Sequence, residues 1–226
     1  MRVNDCGRHQ NLFDVVTNHS ARVLNICSLE KHHDNLTTLL YNLNHNFSIL
    51  GISETRLKSS IENTELSING FKSFDTPAVS SVGGTALFIS NSLKSKPRKD
   101  LSRIVHSDCG NLESTFAEIV LKNRKNYIVG CIYKHPLLDI DLFNQKFLSP
   151  LLKKACQENK NLILLVDFNI DLLTCDSVIS HSNFLDILGA YQILPTITLP
   201  TRITDASSTL IDNIFTSPFN LSLIHI

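Results

Sequence analysis

Six polar side chains stand where the apolar runs of this chain begin or end. Glu54 follows SILGI (48–52) after a single serine, and Asp167 and Asn169 follow NLILLV (161–166). Asn25 lies inside ARVLNIC (21–27), Tyr133 closes YIVGCIY (127–133), and Asp212 interrupts LIDNIF (210–215). A carboxylate placed directly after five apolar residues is costly to bury unless it is paired or bound to a metal. Carboxylates and amides without a soft ligand suit a hard cation such as Mg²⁺, which needs only one or two carboxylates and keeps several waters. Such a site polarises a phosphoryl oxygen and steadies a leaving oxygen. A neighbouring Asp can orient or deprotonate the attacking water, and an Asn can donate to that water or to the developing charge.

Each residue also has an ordinary structural reading. Asn25 could satisfy a strand edge, and Glu54 could cap a turn or pair with Arg56. Tyr133 could be a core aromatic with its hydroxyl at the surface. Asp212 could open a turn, and Asp167-Phe168-Asn169 could be an Asx turn. Singly, only Asp167 and Glu54 favour chemistry; the joint placement at strand ends, where a rigid scaffold can hold a constellation, favours it for the set.

The elements that must position these residues can be read from periodicity. Residues 1–20 show no period and read as a lead-in. ARVLNIC reads as a strand. Leu36, Leu39, Leu40 and Leu43 form a helical stripe, with Asp34 or Asn35 as the expected cap. Ser48–Ile52 reads as a second strand, 55–82 as a turn-rich stretch, and Thr85–Ile89 as a strand after Gly83–Gly84. Lys94–Lys99 reads as a basic loop, solvated or lying along a nucleic-acid backbone. Phe116–Leu121 and Tyr127–Tyr133 suggest an antiparallel hairpin. Phe143, Phe147, Leu151 and Ala155 place helix within Asp139–Gln157, bent or restarted at Pro150. NLILLV is wholly apolar and must be covered on both faces. Phe184, Leu185 and Leu188 mark another helix, and LIDNIF a last strand. One α/β domain follows.

Composition bounds the function. The chain has 226 residues and a hydrophobic fraction of 42%, enough for one sizeable core. Lys+Arg and Asp+Glu both number 21, so a generic basic DNA-coating protein is excluded. The six cysteines are scattered without zinc spacing and read as reduced, mostly buried thiols. The first twenty residues hold no apolar core of a secretory signal, and Leu162–Val166 is too short to span a bilayer. A nuclear or cytoplasmic protein without a membrane is the expectation.

The ordered set LNICSL (24–29), SETRL (53–57), GG with ALFI (83–89), VGCIYKHP (129–136), LLVDFNIDLL (164–173) and PTRIT…STLIDNIF (200–215) resembles a known family. It is similar to the endonuclease/exonuclease/phosphatase domain of non-LTR, LINE-type retrotransposon polyproteins, from about Ala21 to about Pro218. The resemblance implies a four-layer α/β sandwich, two packed mixed β-sheets flanked by helices. It implies an Mg²⁺-dependent endonuclease, with Mn²⁺ as a possible substitute, that nicks target DNA for a downstream reverse transcriptase domain. Carried over residue by residue, Glu54 is the metal ligand and Asn25 supports metal and nucleophile. Tyr133 contacts the scissile phosphate, Asp167 activates water, Asn169 holds water and transition state, and Asp212 joins the metal-side or His-orienting carboxylates.

Three departures from the family pattern matter. Val166 stands where a glycine usually precedes the Asp, and its side chain is expected to crowd the site or twist Asp167. Cys27 stands where a basic residue is frequent. The Ser-Asp-His triplet of the family's C-terminal strand has no counterpart. The expectation is therefore a domain over 21–220, C-terminally incomplete and impaired, with Leu221–Ile226 (LSLIHI) a foreign tail. A phosphatase of the same superfamily and a non-catalytic DNA- or partner-binding remnant stand as alternatives.

Overall fold

The computed structural model describes residues 20–43, 47–58, 66–107 and 110–217. The lead-in up to residue 19 and the tail Leu221–Ile226 lie outside the described residues, as do Cys6 and Cys109.

The first sheet is built from β1 (Ser20–Asn25), β2 (Phe47–Ser53), β3 (Phe71–Thr76) and β4 (Thr85–Ser90), in the order β1-β2-β4-β3. β1 and β2 run parallel through the crossover helix α1 (Leu29–Asn42), and the other pairs are antiparallel. The turn-rich reading of 55–82 thus missed β3, whose FKSFDT carries too few apolar residues to show a period. α1 starts earlier than its leucine stripe suggests. Ser28, not Asp34 or Asn35, caps it by accepting from the Lys31 N–H at 3.5 Å, because Leu29 is fully buried and draws the first turn onto the sheet.

The second sheet takes β5 (Ser95–Pro97), β6 (Arg103–Ser107), β7 (Gly110–Ile119), β8 (Tyr127–Lys134) and β9 (Asn161–Asp167). Between β8 and β9 run α2 (Ile140–Phe143), a wide π turn at Asn144–Leu148, and α3 (Ser149–Gln157). The π turn directly precedes Pro150, whose ring would crowd the carbonyl four residues back in a regular helix. After β9 come α4 (Ile179–Ala190), β10 (Leu194–Pro195), a small hairpin of β11 (Arg202–Ile203) and β12 (Ser208–Thr209), and β13 (Asp212–Thr216). The strand order is β10-β13-β9-β8-β7-β5, with β6 also on β7; β8 and β9 are parallel and the rest antiparallel.

Strand alternation sorts the side chains into three cores, and hence four layers. Ile49, Leu87, Ile89, Val129, Cys131, Ile163, Leu165 and Ile214 fill the space between the sheets. Leu50, Ile52, Ala86 and Phe88 face α1. Ile128, Ile132, Leu162, Leu164 and Val166 face α2–α4, where Phe143, Phe168, Phe184 and Phe215 pack ring on ring. The sheets approach closely at Gly51, where an added Cβ would lie 2.7 Å from that of Leu165.

Two sequence expectations change here. Arg98, read as part of a basic loop, is buried, because it pairs with Asp100 and Glu158. Of the four described cysteines only Cys131 is buried; Cys27 and Cys156 are exposed. Among the described residues no helix is long and apolar enough to cross a membrane.

Candidate active site

The site forms where strands from both sheets end at one mouth of the sandwich. Its residues keep the parity of the inter-sheet core, but polar groups replace apolar ones at the rim. Asp167 closes β9, facing Tyr133 of β8 and Asp212 of β13 in register. Asn25 closes β1 and pairs in register with Ser53 at the end of β2. Glu113 on β7 stands opposite Tyr133.

One amide joins the two sheets. Asn25 Nδ2 donates to Glu54 Oε1 at 2.8 Å and to Asp167 Oδ2 at 2.8 Å. Ser53 Oγ adds a longer donation to Asp167 Oδ2, 3.4 Å. Arg56 Nη2 pairs with Glu54 Oε2 at 3.0 Å, so Glu54 has the partner that its ordinary reading foresaw, along with the amide. Cys27 Sγ lies 3.3 Å from Asn25 Oδ1 and 3.7 Å from Glu54 Oε2.

The carboxylates are left partly unsatisfied. Asp167 is only 1% exposed. Its Oδ1, and Asp212 Oδ1, are buried without a hydrogen-bond partner. Leaving such atoms unpaired costs free energy that a native fold rarely concedes without reason. Burial pushes the Asp167 carboxyl well above the ordinary range, and the charges of Asp212 and Glu54 push it further, against the hydrogen bonds of Asn25 and Asn169. Burial likewise lifts Asp212 to about 6, although a hydrogen bond from Thr201 opposes it. Tyr133 is raised by burial and then by Glu54 and Asp167.

The backbone around this mouth is strained as well. Cys27, Glu54, Arg56 and Asn169 all have φ between 50° and 55°, the left-handed region that side chains disfavour. Strain of this kind persists where the surroundings over-determine it and clusters at functional sites. The Asn169 amide reaches across to β8, donating to the Lys134 carbonyl at 2.9 Å.

Sequence reasoning missed Ser53, Glu113 and Lys134. Lys134 is 1% exposed, and burial lowers its ammonium to about 8. Glu113 is fully buried, its carboxyl raised by burial and only partly relieved by the Val79 and Gly84 N–H groups. The hairpin was read from Phe116 onward, so Glu113 fell outside it; its placement opposite Tyr133 was the signal available. Val166, expected to crowd the site, does not. Its side chain belongs to the helix-facing core, on the strand face opposite Asp167.

A hard cation fits this arrangement. Among the described residues no three His, Cys, Asp or Glu side chains close on one point. A cation that keeps its waters needs only one or two carboxylates, and the unpaired oxygens of Asp167 and Asp212 are of the right kind.

No protein-family model matches the chain. No curated protein matches it either. Solved structures do. The chain is similar to the endonuclease domain of TRAS1, a telomere-specific non-LTR retrotransposon, with a TM-score of 0.61 and 13% identity over 86% of this chain and 83% of that one. It is similar to an endonuclease/exonuclease/phosphatase family protein from Bacteroides thetaiotaomicron, TM-score 0.57, 13% identity, over 88% and 82% of the two chains. It is also similar to the 3′ phosphatase NExo from Neisseria bound to product DNA hairpin, TM-score 0.60, 15% identity, over 88% and 85%. The chain therefore has the endonuclease/exonuclease/phosphatase fold.

Proposed function

We propose that this chain is a divalent-metal-dependent phosphodiesterase domain that nicks DNA, of the kind carried by non-LTR retrotransposons ahead of a reverse transcriptase. The observation that carries the reading is the Glu54–Asn25–Asp167 hydrogen-bonded chain at a strained mouth, with the buried oxygens of Asp167 and Asp212 left unpaired. In this reading Glu54, Asn25 and Asp212 hold Mg²⁺, or Mn²⁺ in its place. Bound there, the cation would neutralise charge on the scissile phosphate and its leaving oxygen.

The chain's own residues do the rest. Asp167 resists ionisation, so its carboxylate takes a proton readily and acts as base toward the attacking water. Asn25 fixes the orientation of Asp167 and Glu54 at once, across the two sheets. Tyr133, beside Asp167 with a hydroxyl that burial keeps protonated, donates to a phosphate oxygen. Asn169, held in an unfavourable backbone conformation by its bond to Lys134, presents its amide oxygen toward the water. These roles draw support from the ordered motifs, from the orphaned oxygens and from the fold.

The test is nicking of supercoiled DNA in Mg²⁺, with Glu54→Ala as control. Open-circle product from the parent chain, and its loss in the variant, is the expected result. Phosphate release from a DNA 3′ monoester without nicking would instead favour a phosphatase. DNA binding without either product would favour a non-catalytic remnant.

A further inference from the structure

Glu113 is a carboxylate near the mouth to which the proposed reaction gives no role. It is fully buried on β7, and its oxygens face the loop between β3 and β4. The Val79 N–H donates to Oε1 at 3.3 Å, and the Gly84 N–H adds to that attraction. A Cβ on Gly83 would lie 2.7 Å from Oε2. Gly83 and Gly84 have φ of 98° and 80°, values that suit glycine, and a Cβ on Gly84 would run into Thr55 Oγ1. The glycine pair is thus pressed between Glu113 on one side and the turn after β2 on the other.

That turn carries Glu54. The Gly84 carbonyl accepts from the Thr55 N–H at 3.2 Å, and the Gly83 carbonyl from the Arg56 N–H at 2.9 Å. Further along, the Ala78 N–H donates to the Leu57 carbonyl at 2.7 Å. Glu54 and Arg56 take φ of 51° and 55° within this turn, a conformation that persists only where the surroundings over-determine it. The start of α1 supports the turn from the other side, the Leu29 N–H donating to the Thr55 carbonyl at 2.9 Å. The β3–β4 loop is the second hold, and Glu113 is what anchors that loop to the second sheet.

The residue type fits this use. Converging N–H groups call for acceptors, and an ionised carboxylate accepts at both oxygens, whereas an amide turns one end into a donor. Burying the group is costly, and joining the sheets does not require it. Two residues on, the Thr115 hydroxyl already bridges to those of Thr76 and Thr85, each at 2.8 Å. We propose that Glu113 is a positioning residue for Glu54: it fixes the β3–β4 loop, whose glycine carbonyls fix the turn that aims Glu54 at the cation. This rests on the reading of Glu54 as a metal ligand. Since Glu113 acts through Glu54, its loss should weaken metal binding and spare the chemistry once metal is bound.

Mn²⁺ titrated into the full chain, followed by electron paramagnetic resonance, reads the effect. Glu113→Gln keeps the volume and loses one acceptor. It should bind Mn²⁺ about tenfold more weakly, as loss of an outer support for a ligand typically does. Nicking should need correspondingly more Mg²⁺ but reach the parent rate once Mg²⁺ saturates. Thr115→Val breaks the hydroxyl bridge on the same strand face; it should lower the melting temperature and leave the Mn²⁺ affinity unchanged. Glu113→Asp, its acceptors drawn back by one methylene, should shift the affinity in the same direction as Glu113→Gln, and it decides if the glutamine variant does not fold. Parent-like Mn²⁺ affinity in the folded Glu113 variant, or an equal loss in Thr115→Val, would overturn the proposal when Glu54→Gln abolishes binding. Mn²⁺ binding unchanged in Glu54→Gln would instead overturn the metal site itself.

Discussion

The second sheet has a charge cluster at each end of its strands, and the two clusters are built on opposite rules. At one end Arg98 pairs with Asp100 at 2.8 Å, with Glu158 and with Glu118. Lys160 bridges Glu118 at 2.9 Å and Glu158 at 2.7 Å, while Lys96 and Lys154 complete the set at 3.3 and 3.0 Å. Signs alternate and every carboxylate has a cation. At the other end Asp167, Asp212, Glu54 and Glu113 gather with Arg56 bonded to Glu54 alone, and three of the four keep burial-raised or unmet oxygens. The first cluster holds the sheet together. The second spends stability on an arrangement that waits for positive charge, as catalytic sites commonly do.

Substitutions should separate the two ends cleanly. The largest effect belongs to Asp167→Asn. Nicking of supercoiled DNA should fall about a thousandfold, the middle of the range for loss of a positioned base. Removing a buried charge should meanwhile leave the melting temperature level or higher. A melting temperature that drops sharply would show that Asp167 is structural and break the contrast.

Arg98→Ala should do the reverse. It removes a buried partner from Glu118 and Glu158, which keep Lys160 and Lys96, so unfolding should become easier by about 2 kcal/mol, read from urea denaturation, while nicking below the melting transition is retained. Val166→Gly should cost about 2 kcal/mol through lost burial alone. Because Val166 faces the helices, restoring glycine there should not raise the nicking rate; a faster variant would mean that Val166 presses on the site after all.

The smallest effect is on pH. Hydrogen bonds from Arg98 hold the Asp100 and Glu158 carboxyls below the ordinary range. Glu118, despite its burial, is also lowered by Lys160, Asn126 and Lys96. The folded values lie below the unfolded ones, so this stability is fully present above an unfolded carboxyl value of about 4. It is lost as pH falls through the lowered values. Urea midpoints should decline below that point, and the decline should be shallower in Arg98→Ala.

The contrast also explains what could be read from the sequence. NLILLV, SILGI and YIVGCIY are apolar enough to declare themselves as strands, and their ends located Asp167, Glu54 and Tyr133. β3 and the start of β7 mix polar and apolar residues on both faces, so Glu113 stayed hidden. Asp34 or Asn35 was the expected helix cap, and Ser28 is the actual one, because burial of Leu29, a tertiary fact, decides where α1 begins. Arg98 looked like one more residue in a basic run, since its partners lie up to 60 positions away. Val166 was misjudged because its face depends on strand parity, which only the register with Asn213 and Ile132 fixes. Chemistry was legible at strand ends, and pairing across the sheet was not.

Mn²⁺ binding to the full chain, followed by electron paramagnetic resonance, tests the central claim most directly. One saturable Mn²⁺ site, displaced by Mg²⁺ and lost in Glu54→Gln and in Asp212→Asn, is the expected result. Mn²⁺ binding that persists unchanged in both variants would contradict the assignment of this mouth as the metal site.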